Sequence, residues 1–515
     1  MTSRPSWKRI FLAEVAMCCL LTGGEAGAAV FSVNSTADQG DVDPGDGVCA
    51  DATGKCTLRA AIQETNTTVE VDTVRLRAGL YRLTIGGVDR GAENGDLNIR
   101  HSLTILGAGA NTTIVDGNGL DRVFNVYTEP NEQGKVSFSN LTIQNGSANV
   151  GGGLISGGAT LSLKNCNILR NRATEEGGGM YLDSGDQVLV GCKVKNNIAS
   201  GAGVVRGGGI RGSNLSSAVT LTRCEVSNNS AISTENSAEG GGLSFVSNTL
   251  LITGGRISDN VASGHGDGGW GGGIAARVDD TLTINGTTIS GNLVACYTAG
   301  CESVGGGGTM HGPTISFKGT VSGNMAFGEL SYCGGLSIYG SEPIQIQSSS
   351  IKNNVVVASD RGGAGGISTS GAVAQITSST ITGNSVSAPI AMAGGLFPSE
   401  ATLTRVVVKD NSLRGSVSAW GGGIFSYGHL TLNATSVESN TAVSPAGLGG
   451  GVYSDGRVDP HDVDIMRASR IKFNFASSDG GGIFQNNDLV ASTIGKSANS
   501  VVSGNLPNNS VPPLP

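Results

Sequence analysis

The chain has 515 residues and a formal net charge of −8; 83 residues are glycine and 14% are charged, whereas globular proteins average about 7% glycine and about 25% charged residues. Collagen is excluded because glycine does not recur at every third position. Helical folds are excluded because glycine inside a helix costs about 1 kcal/mol relative to alanine. Nucleic acid is a poor partner for an acidic chain, because its binding depends on neutralising phosphates. The 38% hydrophobic content is enough for a core, so the composition predicts a β-rich protein with many turns.

Residues 1–28 are predicted to be a signal peptide. A basic start precedes the apolar stretch Ile10–Leu21, and Ala26-Gly27-Ala28 supplies the small residues that a signal peptidase requires. The apolar stretch is too short to serve as a membrane anchor, and the mature chain has no segment that would cross a membrane. We therefore expect an exported protein that is extracellular or associated with the outer membrane or cell surface. We also expect it to be a monomer.

Residues 29–70 are predicted to form an amino-terminal cap. Thr57 is a good N-cap for a short helix in which Leu58, Ala61 and Ile62 share one apolar face. A repeat protein exposes its core at the first coil, and such a helix can cover that open end.

Two chemical features lie in the same cap. Cys49 and Cys56 are seven residues apart in a chain expected to be exported, which favours a disulfide. Four aspartates lie within nine residues: Asp38, Asp41, Asp43 and Asp46. Their carboxylates are suitable calcium ligands, but no bidentate glutamate follows at EF-hand spacing. A calcium site and a solvated acidic turn both remain open, and no other cofactor is expected.

Residues 71–505 carry two interleaved repeats. A Val or Ile, two variable residues and an Asn recur twelve times, with 26 to 34 residues between successive asparagines. These asparagines are Asn171, Asn197, Asn229, Asn260, Asn292, Asn324, Asn354, Asn384, Asn411, Asn440, Asn474 and Asn505. Runs of glycine followed by an apolar residue alternate with them, as at 177–180, 207–210 and 421–424. Short stretches of alternating apolar residues between the two patterns indicate strands.

Three short strands in each repeat of about 30 residues, without tight hairpin motifs, predict a parallel β-helix whose coils stack about 4.8 Å apart. The recurrent asparagine is expected at a corner, because it tolerates the left-handed conformation and its amide can hydrogen-bond to the next coil. Glycine runs are expected to provide the tight bends. Cys166, Cys192 and Cys224 precede the asparagine pattern by two residues in successive repeats, so we expect three buried thiols that stack in the core.

The stretch between each asparagine and the next glycine run varies most in length. Variable insertions in a solenoid collect on the face that binds partners. The candidate ligand-binding residues of this loop face are Trp270, Trp420, Tyr297, Tyr332 and His265. Aromatic rings along a groove suit carbohydrate, but packing of each loop against the rod explains the rings equally well.

Cys296, Cys301 and Cys333 lie in the same variable stretches of consecutive repeats. One disulfide among them is expected, and the sequence leaves its pairing open. The chain ends in a proline-rich tail at residues 506–515.

The cap and the repeats together resemble known families. The segment Asp-Pro-Gly-Asp-Gly-Val-Cys at 43–49, followed by Cys-Thr-Leu-Arg-Ala-Ala-Ile at 56–62, resembles the motif of CSLREA-domain proteins. The repeats resemble the right-handed parallel β-helix repeats of that family and of polymorphic outer-membrane proteins. The resemblance implies an exported or surface-exposed right-handed β-helix, often implicated in adhesion, and it supplies no catalytic residues. The translocating barrel that ends polymorphic membrane proteins has no counterpart at residues 506–515, which makes self-anchoring doubtful.

These features favour a secreted or cell-surface β-helix scaffold for adhesion or glycan binding, with carbohydrate or a cell-surface receptor as partner. The alternative is a polysaccharide lyase or glycoside hydrolase of the pectin-degrading β-helix type. Gly264-His265-Gly266 and Arg470-Ile471-Lys472 resemble hydrolase tripeptides, but Asp279-Asp280 follows the histidine instead of preceding it. Hydrolysis requires clustered carboxylates, and we assign no catalytic residue. Three or more acidic side chains converging in one groove beside an arginine or lysine would favour the enzyme.

Overall fold

The computed structural model describes residues 27–128, 134–455, 463–486 and 494–511. Residues 1–26 of the predicted signal peptide and residues 512–515 of the predicted tail lie outside the described residues. Strands make up 56% of the structure, and about 13 turns of about 31 residues form a parallel β-solenoid. The predicted all-β parallel β-helix is confirmed.

The strands form five columns along the rod, and in each column every strand pairs in parallel with its equivalent in the next coil. Columns 1 to 3 belong to a sheet of 41 strands, the first sheet. Column 1, which follows the glycine runs, contains Leu97–Ile99, Phe124–Tyr127, Leu154–Gly157, Met180–Asp183, Gly308–Gly312, Leu336–Gly340, Ile367–Gly371, Leu396–Pro398, Ile424–Ser426, Val452–Asp455, Ile483–Asn486 and Ser510–Val511.

Columns 2 and 3 continue each coil. Column 2 contains Val30–Val33, Asp72–Leu76, Leu103–Leu106, Lys135–Ser139, Thr160–Lys164, Gln187–Val190, Ile344–Gln347, Ala374–Thr377, Ala401–Thr404, Leu430–Asn433, Val463–Met466 and Ile494–Lys496. Column 3 contains Gly79–Arg82, Thr113–Asp116, Thr142–Gln144, Asn167–Leu169, Lys193–Lys195, Glu225–Ser227, Arg256–Ser258, Ser350–Lys352, Thr380–Thr382, Val407–Lys409, Ser436–Glu438, Arg470–Lys472 and Val501–Ser503. Four longer strands run through two or three of these columns: Ile210–Thr222, Leu243–Thr253, Ile274–Ser290 and Thr314–Ser322.

Columns 4 and 5 form a second sheet of 19 strands. Column 4 contains Ser147–Val150, Arg172–Glu176, Ile198–Gly201, Ser230–Ser233, Val261–Gly264, Leu293–Cys296, Ser385–Ser387, Ser412–Arg414, Thr441–Val443 and Phe475–Ala476. Column 5 contains Val205–Arg206, Ala238–Glu239, Gly268–Trp270, Glu302–Val304, Ile390–Met392, Ser418–Trp420 and Ala446–Leu448. Met325–Tyr332 and Val355–Gly363 run through both columns.

The second sheet corrects the prediction of a loop face. The stretch between each asparagine and the next glycine run consists largely of strands, so a coil has up to five strands instead of three. The alternation in these stretches is hard to recognise because the inward positions are small. Alanines such as Ala199, Ala231 and Ala262 fill the interior beneath the second sheet, whereas Val, Ile, Leu and Phe fill the interior beneath the first.

A ladder of buried asparagine side chains runs along the rod at the corner between columns 3 and 4. In each step, the backbone N–H and the Nδ2 amide of one asparagine donate to the Oδ1 of the next; from Asn260 to Asn292 these distances are 3.0 and 2.9 Å. The Nδ2 of Asn292 also donates to the carbonyl of Ile257 at 3.0 Å. The same pattern joins all twelve predicted asparagines, from Asn171 to Asn505.

We expected the asparagine itself to adopt the left-handed conformation, but the left-handed residue at this corner is the one before it. The residue directly before each ladder asparagine has a positive φ, for example Asn196 at 56° and Asp259 at 56°. This preceding residue turns the chain, and the turn leaves the asparagine side chain pointing inward. The amide is therefore available for the ladder because its neighbour carries the backbone strain.

Glycine runs form the corner between columns 5 and 1, which lies across the interior from the asparagine corner and in contact with it. The glycines are required mainly because coils pack closely here. A Cβ on Gly178 would lie 2.4 Å from the Ile198 carbonyl carbon, and one on Gly179 would lie 3.0 Å from Cγ of Asn197. The first position of each run has a positive φ and tolerates other residues, since Cys333 and Ala364 occupy it with φ of 60° and 53°. The glycine corner thus fits closely against the asparagine ladder.

The predicted cap contains the one helix in the described part of the chain, Leu58–Thr65, and no described helix is long and apolar enough to cross a membrane. Thr57 caps the helix by accepting a hydrogen bond from the Ala60 N–H at 3.1 Å, as predicted. Buried Arg59 binds Asp38 with 2.6 Å between Nε and Oδ1. Strand Val30–Val33 of the cap pairs with Asp72–Leu76, so the cap continues directly into the rod.

The ladder predicts a position-specific loss of stability. In Asn292→Ala, the Asn260 N–H and Nδ2 lose their shared acceptor and the Ile257 carbonyl loses a donor. Buried groups without a partner cost about 1–3 kcal/mol each, so we expect the free energy of unfolding to fall by about 3 kcal/mol in urea titrations followed by circular dichroism.

The matched control is Asn285→Ala, because Asn285 is exposed on the outer face of strand Ile274–Ser290. Its expected effect is below about 0.5 kcal/mol. Equal unfolding midpoints for the two variants would show that the ladder amides do not contribute to stability.

Candidate functional site

The glycine corner creates a long groove on the outside of the rod, which we call the glycine-corner groove. The last outward position of column 5 forms one wall and precedes each glycine run, and the first outward position of column 1 forms the other wall. Successive strands pair in register at this position. It is occupied, in chain order, by Glu176, Arg206, Glu239, Trp270, Val304, Tyr332, Gly363, Met392, Trp420 and Leu448. Glycine has no side chain, so the floor between the walls stays open.

A cleft of about 550 Å³ lies in the amino-terminal half of this groove. Its column 5 wall carries Arg206, Glu239 and Trp270, and its column 1 wall carries Arg211 and Arg277 among smaller residues. This volume is in the range of small-molecule sites, which are about 300–1,000 Å³. We call this space the arginine cleft.

Ion pairs fix the charged side of the arginine cleft. Arg206 lies between two glutamates of adjacent coils, with Nη1 2.9 Å from Oε1 of Glu176 and Nε 3.2 Å from Oε2 of Glu239. Both carboxylates are therefore already paired with a guanidinium. Two carboxylates converge in this groove beside arginine, which is fewer than the three that would have favoured an enzyme.

Arg211 is the most deeply placed charge of the cleft, with 7% of its surface exposed. Its Nη1 donates to Oγ of Ser244 at 3.1 Å, while its Nε lies 3.5 Å from Oε2 of Glu176 and has no hydrogen-bond acceptor among the described residues. Burial lowers the pKa of Arg211, because a charge in this position has lost much of its hydration. The guanidinium thus retains unused hydrogen-bonding capacity at the cleft.

Arg277 and His311 follow each other in column 1 at the far side of the cleft. Arg277 is exposed and forms no ion pair with any described residue. Burial and, to a smaller extent, the charge of Arg277 lower the pKa of His311, whose ring stacks on Tyr339 with 5.8 Å between centroids. The lowered pKa favours the neutral form of His311, so arginine is the main source of positive charge in the cleft.

Trp270 differs from the other predicted aromatic residues of the groove. Its ring is partly exposed at the cleft and contacts no other described aromatic ring. Trp420 is held instead by an aromatic cluster, stacking on Tyr453 with 6.1 Å between centroids, and Tyr332 packs against the same cluster. The structure therefore gives Trp420 and Tyr332 a packing role and leaves the Trp270 ring available.

Tyr297 and His265 lie elsewhere, at the turns between columns 4 and 5. Tyr297 is 61% exposed. The centroid of its ring lies 6.2 Å from that of the His265 ring and 5.8 Å from that of the Phe327 ring. The His265 Nδ1 is hydrogen-bonded to the Ser233 carbonyl at 2.9 Å. The five predicted ligand-binding residues thus divide between the glycine-corner groove and this separate turn region.

The cysteines form two disulfides in the described residues. Cys49 pairs with Cys56 as predicted, and Cys296 pairs with Cys301, which resolves the pairing that the sequence left open. Cys333 is free and buried. Cys166, Cys192 and Cys224 are also free and buried, as expected for a stack of core thiols.

The four aspartates of the cap do not converge. Asp38 is turned inward to Arg59, and its Oδ2 also accepts from the Thr84 and Ile85 N–H groups. Asp41 accepts from the backbone at Asp43 and Ala50, so its carboxylate shapes the acidic turn. Asp46 likewise accepts from the Val48 N–H. Among the described residues no group of three or more His, Cys, Asp or Glu side chains is placed to hold a metal ion.

The tripeptides that resemble hydrolase motifs are also separated. His265 follows column 4 of the second sheet, whereas Arg470–Lys472 is a column 3 strand of the first sheet. Ile471 of that strand is fully buried and belongs to the asparagine repeat. Asp279 and Asp280 are exposed on strand Ile274–Ser290.

The arginine cleft was not predicted, although the sequence contains a signal for it. Glu176, Arg206 and Glu239 all stand directly before a glycine run, at the same position as Trp270. Comparing that one position across repeats would have shown charges alternating in sign on adjacent coils. Arg211 and Arg277 follow the glycine runs at slightly different distances, and only the strand register shows that both reach the cleft.

No family model, curated protein or solved structure matches the chain. We therefore infer the function from the geometry of the groove and from the residues that line it.

The thiol assignments predict slow labelling in the folded protein. Burial raises the pKa of Cys333 to about 12, and a hydrogen bond with Cys166 raises that of Cys192 to about 12. At pH 8 we expect almost no thiol of the folded mature protein to react with Ellman's reagent. After unfolding in guanidinium without reductant, four thiols per chain should react.

The control is the same assay after reduction, which should expose the four disulfide cysteines as well. Rapid reaction of any thiol in the folded state would contradict the burial of the four free cysteines.

Proposed function

We propose that the protein is an exported β-helix scaffold that binds glycans in the glycine-corner groove and acts in adhesion at a cell surface. The resemblance of the cap and repeats to CSLREA-domain proteins and polymorphic outer-membrane proteins supports export and surface exposure. Two disulfides are compatible with an oxidising compartment. The same resemblance implies that the rod carrying the groove is a right-handed β-helix.

The Trp270 ring carries this proposal. It is partly exposed beside a cleft of about 550 Å³ and is not used by another described ring. Flat aromatic faces pack against the C–H surface of sugar rings, while the hydroxyl groups of a sugar need hydrogen-bond partners nearby. Arg206, Glu239 and Thr309 provide such partners on the two walls of the cleft.

The arrangement supports binding over hydrolysis. General acid catalysis needs a carboxyl group that can hold and release a proton next to the bond that breaks. Glu176 and Glu239 are both engaged in ion pairs with Arg206, so neither carboxylate is left without a cationic partner. These contacts hold the two side chains in place, where their oxygens can accept hydrogen bonds from hydroxyl groups.

Glycan binding is tested by screening the purified protein on a glycan array and measuring affinity for retained glycans by calorimetry. We expect Trp270→Ala to weaken binding at least tenfold, because the ring supplies the apolar contact. Tyr127→Ala is the matched control, since Tyr127 is 59% exposed at the end of strand Phe124–Tyr127 and lies outside the cleft. Retention of no glycan, or equal affinities for the two variants, would refute the proposal.

The alternative enzyme is tested on the same material. Incubation with acidic polysaccharides in the presence of calcium should leave their chain length unchanged. Appearance of unsaturated or shortened products that depends on the protein would replace the binding role with a lyase or hydrolase.

A further inference from the structure

The arginine cleft has a local charge opposite to that of the whole chain. Three arginines, Arg206, Arg211 and Arg277, line it, and two glutamates, Glu176 and Glu239, lie against them. The chain as a whole carries a formal net charge of −8. An excess of positive charge in a cleft of an acidic protein favours an anionic ligand over a neutral one.

The two glutamates do not neutralise the three arginines equally. Arg206 takes the short contacts to both glutamates, at 2.9 and 3.2 Å, whereas Arg211 is 3.5 Å from Glu176. Arg277 has no anionic partner among the described residues. The unbalanced charge therefore belongs to Arg211 and Arg277.

Arg211 supplies the observation that indicates a ligand. Its side chain is more than nine-tenths buried, yet Nε has no hydrogen-bond acceptor in the described structure. A buried guanidinium with an unused N–H is costly, and a planar carboxylate can satisfy two of its N–H groups at once. Ser244 holds Nη1 and so fixes the orientation of the guanidinium.

Trp270 lies on the opposite wall of the same cleft. A ligand that fills the cleft therefore meets an aromatic face on one side and guanidinium groups on the other. A sugar ring that bears a carboxylate has both complementary surfaces, since its C–H face is apolar and its acid group is anionic.

We propose that the arginine cleft binds the carboxylate of an acidic saccharide such as a uronate, with Arg211 and Arg277 contacting the acid and Trp270 packing on the sugar ring. This inference rests on the proposed glycan binding and specifies its ligand class. Binding transfers no proton or group, so the ligand leaves the cleft unchanged.

The experiment compares three probes by calorimetry: tetragalacturonate, its methyl ester and neutral maltotetraose. We expect tetragalacturonate to bind at least tenfold more tightly than its methyl ester, because esterification removes the charge and retains the ring. Raising the sodium chloride concentration from 50 to about 500 mM should weaken only the charged probe, since salt screens exposed charges.

Variants locate the binding. Arg277→Met removes an exposed charge and retains the aliphatic length, so the fold is expected to persist, and affinity for tetragalacturonate should fall at least fivefold. Arg211→Met should reduce affinity further, with circular dichroism confirming the fold. The matched control Arg75→Met removes another exposed arginine, on column 2, and should leave binding unchanged.

The possible failures are distinguishable. If neutral array glycans bind in a Trp270-dependent way while tetragalacturonate and its ester bind equally, the acidic ligand is wrong and glycan binding stands. If tetragalacturonate binds equally well to Arg277→Met and Arg75→Met, the site is elsewhere. If no glycan or probe binds, both proposals are wrong.

Discussion

The buried asparagine ladder is the interaction on which the rest of the structure depends. An amide buried inside a protein must have partners for its donors and its acceptor, and here each partner is the equivalent amide one coil away. Every coil must therefore return to the same place, whatever the length of the chain between. The glycine corner meets the same constraint from the other side, since a Cβ on Gly179 would lie 3.0 Å from Cγ of the ladder residue Asn197. Asparagine and glycine thus specify the register together.

This register also organises the surface. Equivalent outward positions lie above one another about 4.8 Å apart, so a single substitution per repeat changes one step in a column. The position before the glycine run is charged from Glu176 to Glu239, and it is aromatic or apolar from Trp270 to Leu448. Chemistry that the sequence distributes over more than 270 residues is thereby collected in one groove.

The fold could be predicted from the sequence because its constraints recur. Twelve asparagines and their glycine runs repeat in almost the same form, and a packing rule repeated so often is visible without any structure. The second sheet was missed because alanine and glycine at its inward positions give little alternation in hydrophobicity. The arginine cleft was missed for a different reason: no other described repeat has an arginine at the column 1 position of Arg211 or Arg277, and the proximity of Arg211 to Trp270 depends on register across two coils. Unique residues leave no periodic signal.

The two halves of the groove use aromatic residues differently, and this difference has a physical cause. In the carboxy-terminal half, Phe425 and Tyr453 occupy equivalent positions on column 1, and their rings stack with 5.0 Å between centroids. Each of these rings stacks on a ring of the adjacent coil, so the aromatic faces are covered by other side chains of the protein. Trp270 has Glu239 and Val304 as its neighbours along column 5, and neither offers a ring. An aromatic side chain between non-aromatic neighbours keeps a free face, and the buried Arg211 beside it keeps a free N–H. Aromatic pairing along the groove is thus interrupted at Trp270, which leaves one ring and one buried N–H without a hydrogen-bonding or stacking partner among the described residues.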